Sequence, residues 1–240
     1  LSLGSFAFAD CNGAPVTAKG HTAVYVDYQP WYVAQTQGIP SSKPLVSAVT
    51  RLGVLYGIAD NMDVGLLRID DSYLFPAATV ESLSTEFGYG LTYAYEISKA
   101  VKLPVDLRFQ FEYDAPRKAD IHTKGGKPED DSSWETGATY LGLTVTKPVL
   151  ISGLVAAGSL GVFNAWTNNL NDDYAVNEKG SSAFQITAGL DYTVPNTSLT
   201  TYATINHIDN SNLVGVEDST GFIARDNKQD FLCVGLRYDI

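Results

Sequence analysis

The chain is short of cations, of sulfur and of any apolar stretch built for a membrane helix. Its 240 residues carry 16 Lys and Arg against 27 Asp and Glu, a net charge of −11 at pH 7, and the isoelectric point falls near 4.6. No run of Lys and Arg interrupts that deficit, so nothing supplies the clustered cations that neutralise nucleic-acid phosphates. There are one Met and two Cys. His-Glu-x-x-His, Cys-x-x-Cys, Gly-x-Ser-x-Gly and the phosphate-binding loop are all absent, which removes the usual signatures of zinc, thiol-redox, serine-hydrolase and nucleotide chemistry. A mean hydropathy of −0.04 fits neither a disordered chain nor a bundle of membrane helices. The uncharged stretch VLISGLVAAGSLGVFNAW (149–166) would pass alone as a marginal membrane helix. Its five Gly or Ser, and the alternating segments on either side, favour a turn followed by a strand.

Aromatic residues and glycine are abundant instead: 14 Tyr, 10 Phe, 3 Trp and 21 Gly, a composition suited to β-structure with many turns. Alternation is clearest in VKLPVDLRFQFEYD (101–114). There Val101, Leu103, Val105, Leu107, Phe109, Phe111 and Tyr113 share one parity, and Lys102, Asp106, Arg108, Gln110, Glu112 and Asp114 share the other. Successive side chains point to opposite faces of a strand, so this one has an apolar face and a charged face. Its length exceeds the usual strand of a soluble sheet and suits a tilted strand that crosses a bilayer. Similar segments lie at 21–34, 46–58, 63–70, 87–97, 134–147, 153–166, 184–192, 199–208 and 232–240. With 101–114 they make ten, an even number.

Short and long connections alternate without a break. Those near 59–62, 98–100, 147–152 and 194–198 are short; those near 35–45, 71–82, 115–133, 167–182 and 209–228 are long and polar. That asymmetry belongs to bacterial outer-membrane barrels, with tight periplasmic turns and longer external loops. A five-fold motif fits the same frame: GVLY (53–56), GLTY (90–93), GLTV (142–145), GLDY (189–192) and GLRY (235–238). Each lies on a strand descending to a short turn or to the last residue. Tyr56, Tyr95, Tyr192 and Tyr238 then fall where an interfacial aromatic girdle belongs. The motif Gly takes the opposite parity, facing the lumen, where a missing side chain relieves crowding.

The closing GLRYDI, with Gly235, Tyr238 and Ile240, resembles the assembly signal of bacterial outer-membrane β-barrels, departing from it in ending on Ile rather than the commoner Phe. The resemblance covers nearly the whole mature chain as architecture. It implies an all-β, closed antiparallel transmembrane barrel of about ten strands, with eight to twelve in range. It further implies the outer membrane of a Gram-negative cell, with outer-membrane lipid, lipopolysaccharide and the barrel-assembly machinery as partners. The hairpin YGIADNMDVGL (56–66) resembles a periplasmic turn of the meta-pathway phenol-degradation family of transporters, over that hairpin alone.

The start of the chain divides further. LSLGSFAFA (1–9) is uncharged and ends in Ala7-Phe8-Ala9, the pattern of a signal-peptide tail with its cleavage site; a short strand is the other reading. Asp10 in front of Cys11 spoils the small-residue pattern of a lipoprotein cysteine. Residues 10–20 are then a periplasmic or lumenal segment, and 21–240 form a single barrel domain. Cys11 and Cys233 make the one possible disulfide, which an oxidising periplasm permits and which would pin residues 10–20 inside the lumen.

Depth counting from the short turns places Arg51, Arg68 and Arg108 at one level, with Glu86, Asp106, Glu112 and Asp70 at or above it. These are the candidate lumen constriction. One reading is a charged gate for small polar solutes; the other is a set of pairs that merely fills a narrow interior. The functional expectation is accordingly a narrow porin-like passage. A non-conducting structural or adhesive barrel, working through loops such as 115–133 and 209–228, is the alternative.

A rim protease is more remote. Outer-membrane proteases of the omptin type use an Asp/His pair and two further acids, and His207-Ile208-Asp209 with Asp70 and Asp71 forms a loose analogue lacking the supporting motif. His21 and His122 are isolated. The acid runs Glu129-Asp130-Asp131 and Asn171-Asp172-Asp173 suit solvated loops better than divalent cations. No cofactor or metal is expected.

Overall fold

Period-two alternation forces side chains to opposite faces, and in this chain it is written over almost every strand. The computed structural model describes residues 16–33, 45–74, 80–85, 87–101, 103–123, 132–169, 181–209 and 228–240. In chain order the elements are β1 (Thr22–Val33), β2 (Leu45–Ala59), β3 (Met62–Leu74), β4 (Val80–Thr85), β5 (Gly88–Glu96), α1 (Ile97–Val101), β6 (Asp106–Thr123), β7 (Ser132–Pro148), β8 (Leu154–Asn169), β9 (Ser181–Thr193), β10 (Leu199–Asp209) and β11 (Lys228–Asp239).

Every pairing between the described strands is antiparallel, and the first strand meets the last: Ala23 lies opposite Asp239 and Tyr28 opposite Val234. Short strand β4 pairs with Ala119–Thr123 of β6, while β5 pairs with Arg108–Asp114 of the same strand. The two are successive lengths of one stave, so the sheet is a closed ring of ten staves. Closure matters physically, because an open edge would leave backbone donors and acceptors unpaired in hydrocarbon. Among the described residues no helix is long and apolar enough to cross a membrane. The 149–166 stretch is a turn, with Gly153 at φ +80°, followed by β8.

Parity sorts the two faces. Leu52, Val54, Leu66, Leu91, Leu141, Leu143, Ile186, Ile205 and Leu236 are exposed on the outside, forming the apolar band a barrel presents to lipid. Arg51, Gln29, Asp27, Glu112, Tyr140 and Gln185 are buried on the inside. Such a surface reverses the soluble pattern, in which apolar residues go inward.

Two expectations need correction. The strand expected at 101–114 begins only at Asp106; Ile97–Val101 is a helical turn. Pro104 lacks the N–H that a ladder requires. The helical turn is stitched to the neighbouring turn instead, with Lys99 Nζ donating to the Asp60 carbonyl at 2.8 Å and pairing with Glu96 at 3.1 Å. The loop expected at 115–133 is shorter, because β6 runs on to Thr123 after a register shift between Asp114 and Arg117. Pro116 sits in that bulge, a place where its missing N–H is tolerated.

Candidate functional site

The interior is built from residues that share parity with the motif glycines. Tyr25 lies directly opposite Gly53, and Tyr202 directly opposite Gly235. A Cβ at Gly53 would strike the Tyr25 ring, one at Gly235 the Tyr202 ring, and one at Gly142 or Gly161 the Tyr140 ring. Each tyrosine is thus laid flat along the inner wall over a glycine, an arrangement that covers the exposed glycine backbone. At Gly90 the space is taken by Asp114 and Leu67, and at Gly189 by Thr204.

Charged and polar groups fill what remains. Arg51 of β2 reaches over β3 and β5 to form a fully buried ion pair with Glu112 of β6. Asp27 is its register neighbour on β1, and Asp27 accepts a hydrogen bond from the Tyr202 hydroxyl on β10. Thr144 donates to Gln110 Oε1 at 2.5 Å, and Gln185 donates to Asn206 Oδ1 at 3.1 Å. Nearer the turn end, Arg237 pairs with Asp239 at 2.8 Å and donates to Thr17 Oγ1 at 3.1 Å. A cavity beside Asp63, Thr92, Arg108 and Glu112 has a volume of about 20 Å³, room for about one water.

The structure divides the sequence-derived constriction. Arg51, Arg108 and Glu112 face inward and are buried. Arg68 faces outward, a correction: Gly65, Leu67 and Ile69 of β3 take the inside, so Val64, Leu66 and Arg68 share the outer face. There Arg68 lies 3.8 Å from the Phe87 ring centre and 3.4 Å from Asp70, which faces outward with it. Asp106 is exposed at the first position of β6, at the turn-end mouth and below the constriction, a second correction. Glu86 lies outside the described residues, as do both acid runs.

Tyr56, Tyr192 and Tyr238 are exposed on the outer face near the turn end, and Tyr95 is half-buried there. Gly235 faces in, while Tyr238 and Ile240 are exposed. Cys233 is buried inside the barrel and disulfide-bonded; Cys11 lies outside the described residues. His207 and Asp70 both face outward, on β10 and β3, with β11, β1 and β2 between them. His207 and Asp70 are therefore not brought together, and the side chains of Asp71 and Asp209 lie outside the described ones.

Asp27, Asp63, Asp114, Arg117, Asp191, Tyr202 and Arg237 also face inward and are buried, and depth counting missed them. Parity with the nearest motif glycine finds several. Asp191 follows Gly189 by two and Arg237 follows Gly235 by two; β3 carries no motif glycine, and Arg68 stands three from its inward Gly65.

The sequence matches no family model and no curated protein. Solved structures do match. The translocator domain of the autotransporter NalP from Neisseria meningitidis superposes with a TM-score of 0.53 at 13% identity, over 95% of this chain and 90% of that one. The chain has the fold of an outer-membrane β-barrel. The COG4313 outer membrane channel from Pseudomonas putida F1 gives a TM-score of 0.49 at 13% identity, over 97% of this chain and 98% of that one. For the outer membrane protease OmpT from Escherichia coli the score is 0.43 at 9% identity, over 95% of this chain and 99% of that one. At such identities the likeness speaks to the fold alone, and what the barrel does has to come from its interior.

Proposed function

We propose that this barrel is a narrow passage for small polar solutes across the bacterial outer membrane, shut at rest by its own lining. The observation that carries the reading is the Arg51–Glu112 pair, which reaches across the interior from β2 to β6. Charges of both signs surround it, with Asp27, Asp63, Asp114, Arg108 and Arg237 all buried inside. A cross-lumen ion pair is a barrier that a polar or ionic solute can replace contact for contact, and rings of charge select by sign. The turn end faces the periplasm in this reading.

Single-channel recording in planar bilayers tests it. The intact barrel should open rarely and to small steps, and Glu112→Gln, which removes one charge of the barrier, should raise open probability. Ion selectivity should shift towards anions, because Arg51 then faces the bore with less neutralisation. Silence of both proteins, with and without a thiol reductant, in bilayers containing demonstrably inserted barrels would sink the passage.

A second reading has its own observation. Arg51, Asp27, Gln29 and Gln185 are all 0% exposed, as in a barrel that conducts nothing and works through the loops at its far end. The same recordings decide between the two.

A further inference from the structure

The residues ahead of β1 do not stop at the mouth. Val16 and Thr17 are buried within it. The Thr17 amide donates to Asp63 Oδ2 at 2.7 Å, while Arg237 donates to the Thr17 hydroxyl. The Gly20 amide donates to the Gly57 carbonyl at 2.8 Å, the Gly57 amide donates to the His21 carbonyl at 3.1 Å, and Lys19 bridges to Gly57 in parallel. Simple lead-in to β1 would touch its neighbours β2 and β11; contact with Asp63 on β3 carries the segment further round the mouth.

The wall is shaped to receive it. A Cβ at Gly57 would collide with the carbonyl oxygens of Thr17 and Ala18, so only glycine leaves the backbone of the segment its place. At Gly57 β2 also slips register against β3. Deeper on β11, Cys233 is fully buried on the inner face and disulfide-bonded. The sequence offers it one partner, Cys11. From Arg237 up to Cys233 is about 13 Å along the strand, and the chain from Thr17 back to Cys11 can reach about 20 Å, so the bond is within reach of a segment entering at this mouth.

We propose that Val16–Gly20 is a stopper for the turn-end mouth, latched by the Cys233 disulfide and unlatched by a dithiol reductant; as a gate it rests on the passage reading above. One thiolate of the dithiol attacks a cystine sulfur and the S–S bond breaks, leaving a mixed disulfide and one free Cys thiol. The reductant's second thiol then resolves the mixed disulfide. Two electrons pass to the cystine, two Cys thiols form, and the reductant leaves as its own disulfide. An oxidising compartment keeps the latch closed.

Amide exchange at Thr17 and Gly20, and conductance in the Glu112→Gln background, read the latch and the gate separately in the full refolded chain. Dithiothreitol should lower protection at both amides about tenfold or more and raise Glu112→Gln conductance. Gly57→Val should evict the segment with the disulfide intact and give the same two changes without reductant. If that variant does not fold, Cys233→Ser carries the test: low protection from the start and no response to dithiothreitol. Unchanged protection after both thiols have become alkylatable would overturn the latch. Lost protection with unaltered, measurable conductance would overturn the stopper and leave the passage standing. Silence of Glu112→Gln in both redox states would bring down the passage, and the gate with it.

Discussion

At the scale of single residues the interior is a fit between tyrosine and glycine. Tyr202 lies over its cross-strand partner Gly235, and its hydroxyl ends on Asp27 two staves away. A side chain at Gly235 has nowhere to go unless that ring moves. Gly235→Val should therefore destabilise the barrel by about 1–3 kcal/mol, the usual cost of overpacking. Tyr202→Ala alone should also destabilise, because Asp27 loses a buried donor, at about 1–3 kcal/mol. The double variant should lose markedly less than the sum, since each change makes room for the other. Urea unfolding in lipid vesicles, followed by tryptophan emission, measures all three; strict additivity would show that ring and glycine do not share the space. The glycines were legible in the sequence because they recur in a fixed motif. Their tyrosines were not, because inward Tyr25 and outward Tyr28 differ only in parity, and parity is fixed by the register of the whole sheet.

Elements carry that parity, and here the sequence is informative to the extent that its strands are regular. Ten alternating segments are visible in it and ten staves are present. The parts that escaped are where the period breaks: Pro104 delays β6, and the bulge between Asp114 and Arg117 carries the same strand past its expected end. After that bulge Arg117 faces in although its parity is opposite to that of Asp114, a switch that simple alternation cannot foresee. Strand β3 shows the cost of using depth without parity. Height alone groups Arg68 with Arg51, yet Arg68 shares the outer face with Val64 and Leu66. Its guanidinium lies against Phe87 and near Asp70, so its charge is partly compensated. Leu66→Arg, on the same face with neither partner, should cost about 2–4 kcal/mol if it lies at the bilayer midplane. Arg68→Leu should cost far less or stabilise, because it removes a charge from a lipid-facing wall. Refolding yield and urea midpoints in vesicles would test the pair; equal penalties for both would mean that the outer face of β3 has been assigned wrongly.

For the whole molecule the decisive pairing is the one between β1 and β11, since it turns a sheet into a barrel. Its last rungs run to the end of the chain. Ala23, Val24, Tyr25 and Val26 are opposite Asp239, Tyr238, Arg237 and Leu236, and the Ile240 amide donates to the Thr22 carbonyl at 2.7 Å. The same residues of β11 pair with Leu199, Thr200 and Thr201 of β10. Removing Leu236–Ile240 would thus strip two staves at once, and each backbone group left unpaired in hydrocarbon costs several kcal/mol. No partial barrel can absorb that sum within a stability of about 5–15 kcal/mol. The truncated chain should accordingly show all-or-none failure, with no heat-modifiable folded band on an unheated gel after refolding into vesicles. Ile240→Phe should fold normally, because it keeps every backbone pairing and only changes an exposed apolar side chain. A truncated chain that still gave the folded band would mean that the ring closes without its final rungs, and the seam would then not be what holds the barrel shut.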